Sequence, residues 1–96
     1  MEIRNVQHKG LRRFLEADDA SGLHPLAVAK LRKIVTFLMH AEDIDQLKAM
    51  PLWRIHLLTG SDKGKWSLTV TRNWRLTFRL DKTAREIFDL NFEDYH

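Results

Sequence analysis

The chain has 96 residues, 44% hydrophobic and 30% charged, with 16 Lys and Arg against 13 Asp and Glu. Two domains do not fit in that length, and a chain this short buries only roughly 60–65% of the surface it exposes when unfolded, too little to enclose a large cofactor. With no cysteine, a disulfide framework and a thiolate metal site are excluded, and no stretch reaches the roughly 18 apolar residues of a membrane span; a cytoplasmic chain is the expectation.

Residues 2–7 alternate weakly between apolar and polar, the pattern of a short first strand. A helix is expected over about residues 8–17, where Leu11, Phe14 and Leu15 recur at helical spacing, and the run Asp18-Asp19-Ala20-Ser21-Gly22 breaks it. The second helix runs from about Pro25 to His40. Pro25 suits a first-turn position, and Leu26, Val28, Leu31, Ile34, Val35 and Leu38 repeat at three and four. Glu42 to Leu47 reads as one more turn of helix before Pro51.

From Leu52 the period changes from helical to alternating. Ile55 and Leu57, then Trp66, Leu68 and Val70, then Trp74, Leu76 and Phe78, then Phe88, Leu90 and Phe92 are assigned to one side of successive strands. Gly60 to Gly64 forms a loop and Arg72-Asn73 a turn. The expected architecture is α+β in two layers, with N-terminal helices packed on one face of a mainly antiparallel sheet. The other face then presents His56, Lys65, Ser67, Thr69, Arg75, Thr77 and Arg79.

Charge follows the same division. Residues 1–53 carry eight basic and seven acidic side chains, residues 54–85 eight basic and two acidic, and residues 86–96 four acidic and none basic. A basic sheet face is a platform for a polyanion, because each Lys or Arg near a phosphate releases condensed counterion; a set of solvated strand faces is the plainer reading.

Few residues could carry chemistry. His56, flanked by Arg54, falls on the polar face, where an imidazole could act as acid or base or simply be a strand histidine. His8, His24 and His40 fall near helix ends and read as structural, and none stands at zinc-ligand spacing with another histidine or carboxylate. The terminal Asp94-Tyr95-His96 is either a solvated tail or three groups able to orient, donate and accept protons. Trp66 and Trp74 fall on the core-facing phase, as packing anchors, whereas Arg75 falls on the opposite phase, where its fork can reach a phosphate. The segment Gly60 to Lys65 lacks the spacing and following helix of a phosphate-binding loop.

Five segments together resemble the HigB-type toxins of the RelE/ParE superfamily: Gln7-His8-Lys9-Gly10-Leu11, Arg54-Ile55-His56-Leu57-Leu58-Thr59-Gly60, Trp66-Ser67-Leu68-Thr69-Val70, Asn73-Trp74-Arg75-Leu76-Thr77-Phe78 and Asn91-Phe92-Glu93-Asp94-Tyr95-His96. The resemblance implies a fold like a small microbial RNase and a toxin of a type II toxin–antitoxin pair that cuts mRNA in the ribosomal A site. Position by position it implies His56, Arg75, Asp94, Tyr95 and His96 as catalytic; the basic segment itself offers Arg54, Lys63, Lys65, Arg72 and Arg79 as the RNA contacts. Leu57 stands where the family has a proline and Thr59 where it has a lysine, which removes one charge from the expected phosphate contacts. The implied partners are a HigA-like helix-turn-helix antitoxin, the 70S ribosome and mRNA, with operator DNA as a target of the antitoxin complex. No cofactor or metal is implied. A gyrase-directed toxin like ParE and a non-catalytic RNA-binding module are the alternatives.

Overall fold

In the computed structural model, which describes residues 1–94, the chain runs β1 (Glu2–Ile3), α1 (Lys9–Ala17), α2 (Pro25–His40), α3 (Ile44–Lys48), β2 (His56–Leu57), β3 (Trp66–Thr69), β4 (Trp74–Asp81) and β5 (Glu86–Asp94). Short 3-10 turns at Pro51–Trp53 and Gly60–Asp62 flank β2. The strands form one sheet in the order β1-β5-β4-β3-β2, antiparallel except where β1 pairs with β5. This is the α+β arrangement read from the alternation. Among the described residues no helix is long and apolar enough to cross a membrane.

Both long helices start on histidines. The Nδ1 atoms of His8 and His24 accept from the backbone N–H groups of Leu11 at 3.1 Å and Leu26 at 3.2 Å, satisfying donors that a helix start leaves open. His40 lies at the other end of α2, its Nδ1 2.8 Å from the Thr36 carbonyl. The N-terminal ammonium of Met1 donates to the carbonyls of Leu38, Met39 and Ala41, placing a cation on the negative end of the α2 dipole. Leu11 and Phe14 of α1 and Leu31, Ile34, Val35 and Leu38 of α2 bury against Leu68, Leu76, Phe78, Ile87, Leu90 and Phe92. Each fully buried aliphatic or aromatic side chain contributes about 1.5–3 kcal/mol, so this stripe-on-sheet contact dominates folding.

One face assignment and one expectation of burial are corrected. Phe88 was expected inward but lies on the opposite face, paired with Arg79 and under the Arg4 guanidinium, 5.0 Å from the ring centre. The cause is a bulge: between the pairs Thr77–Asn91 and Arg79–Phe88, β4 has one residue and β5 has two. Asp89 takes the left-handed conformation (φ 52) there, and Asn5 clamps it, its Oδ1 accepting from the Asp89 N–H and its Nδ2 donating to Asp89 Oδ1. Ile87 and Leu90, three apart, therefore both face the core. Leu57 keeps its expected side, paired with Trp66, yet is 49% exposed, because β2 is a two-residue strand at the end of the sheet order, where core packing gives out.

Candidate active site

The face opposite the helices is organised by strand register. His56 pairs with Ser67, Ser67 with Thr77, and Thr77 with Asn91, giving one row across four strands. The next row is Thr69, Arg75 and Glu93, and Trp74 pairs with Asp94 at the end of β5. The β strand spacing and rise put the Cα atoms of His56 and Arg75 about 12 Å apart.

His56 is exposed and follows Arg54, whose backbone is left-handed (φ 48) at the end of the Pro51–Trp53 turn. The Arg54 carbonyl oxygen lies 2.9 Å from His56 Nδ1. A carbonyl can only accept, so Nδ1 is the donor in this contact and Nε2 is the ring nitrogen it leaves open.

Arg75 begins β4 beside the Thr71–Trp74 turn. Its Nη1 donates to the carbonyls of Thr71 at 2.9 Å and Arg72 at 3.2 Å, which orients the guanidinium along the strand end. Asp94, exposed, ends the described part of β5 against Trp74, which stacks on Phe92 with ring centres 4.6 Å apart. Arg75 and Asp94 therefore meet at one corner of the sheet on opposite phases, Asp94 on that of Trp74 and Arg75 on that of Glu93, with His56 two strands from Arg75. Tyr95 and His96 lie outside the described residues. The tryptophans pack as expected: Trp66 and Trp74 lie against the core cluster, and Trp53 is buried edge-on to Phe37.

The expected RNA contacts separate into two groups. Arg54, Lys63 and Arg72 are exposed. Arg79 lies across the loop, its Nη1 donating to the Lys63 carbonyl at 3.1 Å. Lys65 differs: its side chain is 16% exposed and its Nζ lies 3.3 Å from Glu93 Oε2 and 3.9 Å from Asp62 Oδ1. Ser67 and Thr77 share the polar face yet are buried beneath the longer side chains. Glu93 was not singled out from the sequence. Its signal was its phase, a carboxylate one residue after the inward Phe92 and hence on the basic face.

The model of the HigB-like toxin family, described as a RelE-like toxin of type II toxin–antitoxin systems, matches residues 4–96. The Endoribonuclease HigB of Proteus vulgaris is 33% identical over 94 residues, covering 98% of this chain and 99% of that protein. Among solved structures, YafQ from Escherichia coli strain BL21(DE3) superposes with a TM-score of 0.60 at 17% identity over 95% of this chain and 92% of its own. The YoeB/ParE toxin from Agrobacterium tumefaciens gives 0.54 at 16% identity over 100% and 99%. Those two likenesses concern the fold, whereas the family match and the Proteus relative span nearly every residue of the chain, and on that ground the chain belongs to the HigB-like family of RelE-like toxins of type II toxin–antitoxin systems.

Proposed function

We propose that this toxin is an endoribonuclease that cuts mRNA on the ribosome, in the cytoplasm, through the 2′-OH of the nucleotide preceding the scissile bond. The observation that supports it most is the register that sets His56, Arg75 and Glu93 on one uncovered, basic face, with Asp94 the next residue of β5, in a chain whose full-length relative is named an endoribonuclease. His56 Nε2 takes the 2′-OH proton, the O2′–P bond forms and the P–O5′ bond breaks, giving a 2′,3′-cyclic phosphate. His96 returns a proton to O5′, Arg75 stabilises the charge that builds on the phosphoryl oxygens, Tyr95 stacks or donates, and Asp94 orients His96. One base, one acid and one cation complete this chemistry, so the reaction proceeds without a metal ion. Arg54, Lys63, Arg72 and Arg79 hold the flanking RNA. The antitoxin that pairs with a type II toxin is, in this reading, a HigA-like helix-turn-helix protein whose complex binds operator DNA.

The test is cleavage of an mRNA on programmed ribosomes, with EDTA present. Wild type should cut, leaving 5′-hydroxyl ends, and should leave free mRNA intact. His56→Ala and Arg75→Ala should each slow cleavage by about 10²-fold or more while melting like wild type. Full activity in both variants, or inhibition of DNA gyrase without mRNA cleavage, would overturn the assignment.

A further inference from the structure

Glu93 is the one carboxylate in the middle rows of the uncovered face, and its surroundings are those of an anion site. Its Cα partner on β4 is Arg75, its Oε2 accepts from the Thr77 hydroxyl, and the Lys65 ammonium lies 3.3 Å away. Thr77 is fully buried, so its hydroxyl is fixed and directs the carboxylate toward Lys65. A carboxylate and a phosphate both offer oxygens to the same cations, and side by side they repel. Glu93 therefore holds, against Lys65, the position that a phosphate oxygen of RNA would take.

We propose that Glu93 is an affinity-limiting residue of the RNA site, an internal counter-anion that neutralises Lys65 until an RNA phosphate displaces it. The proposal rests on the RNA-binding reading of this face. Arriving RNA gains only the difference between the Lys65–phosphate and Lys65–carboxylate contacts, so a loose strand binds weakly. A strand already held by other contacts can complete the exchange. Such a repulsive element raises discrimination at the expense of affinity.

The experiment uses the full chain and a short fluorescent single-stranded RNA with 2′-O-methyl groups, so that cleavage does not intrude. Binding is read by anisotropy between about 50 and 300 mM salt. Glu93→Gln should bind about three- to tenfold tighter at the low-salt end, with a slope of log K against log salt steeper by about 0.7, one additional counterion released. Lys65→Met should cost more in the Glu93→Gln background than in wild type, because there the ammonium has lost its nearer carboxylate and keeps only the longer contact with Asp62 at 3.9 Å. Glu16→Gln, the same charge change at an exposed position on α1, should gain clearly less. A structural role for Glu93 alone would lower stability without tightening binding. Equal or weaker binding by Glu93→Gln, an equal gain in Glu16→Gln, or additive effects of the Lys65 and Glu93 changes would overturn the proposal. Wild type that binds RNA with no salt dependence would instead overturn the RNA-face reading, and the proposal with it.

Discussion

Gly10→Ala sets two effects of known size against each other. Gly10 is the second residue of α1, buried where the helix crosses the loop leading to α2. A Cβ built there would stand 2.4 Å from the Gly22 carbonyl oxygen and 2.9 Å from its carbon. Restoring ordinary van der Waals contact requires about 1 Å of movement between two backbone segments, with no flexible side chain to yield. Overpacking of this kind costs about 1–3 kcal/mol. Opposing it, alanine is better than glycine in a helix by up to about 1 kcal/mol, less in a first turn. The clash wins, and the net loss of about 1–2 kcal/mol lowers the melting temperature by about 5–15 °C in a domain of this size. Gly22→Ala presses on the same contact, its Cβ 2.8 Å from the Gly10 Cα, so it should destabilise too, and the pair should be non-additive. The assay is thermal melting followed by far-UV circular dichroism. A Gly10→Ala protein melting at or above wild type would refute the reasoning, because propensity alone predicts that result.

Two further substitutions test the buried polar groups. Ser67 is 1% exposed and its hydroxyl has no hydrogen-bond partner among the described residues, so Ser67→Ala should be neutral or stabilising by up to about 1 kcal/mol in urea melts; a loss of stability would mean the hydroxyl is paired in solution. Burial holds the His8 imidazole below its ordinary pKa of 6.5, so its contribution to stability is complete above that value and is lost as pH falls toward the lower folded value. Protonated Nδ1 also cannot accept the Leu11 N–H. His8→Asn keeps a capping acceptor without the titration, and its melting temperature should therefore fall less than that of wild type between about pH 7 and pH 5; parallel curves would remove His8 as the cause.

Legibility followed locality. The α2 stripe and the alternation of β3 and β4 are local patterns, and Leu31, Ile34, Val35, Leu38, Leu68, Leu76 and Phe78 are buried as expected, while His56 and Arg75 keep their expected phases; Leu26, at the first turn of α2, is instead 76% exposed and Ala27 takes its place in the core. Phe88 was misassigned because strict alternation breaks at Asp89, a non-glycine residue whose left-handed turn is held by Asn5 from the far end of the chain. Leu57 is on its expected side but exposed, because the burial of an edge strand depends on how far the core extends. The Lys65–Glu93 pair went unseen for the same reason: its partners are 28 positions apart and meet only once three strands are in register. The roles of Tyr95 and His96 rest on the resemblance.

The bulge also gives the end of β5 a phase frame, in the sense in which an insertion shifts a reading frame. Pairing Asp89 as an ordinary strand residue at unchanged chain length would exchange the fates of every residue beyond it: Asn91 and Glu93 would turn toward the helices, and Leu90, Phe92 and Asp94 toward the basic face. Deleting Asp89 instead takes out the extra residue and leaves each later residue on its present face. The left-handed turn that Asn5 holds is therefore what keeps a carboxylate out of the core and an aromatic away from the cations at this chain length, and a chain one residue shorter at that point would present the same faces from a regular strand.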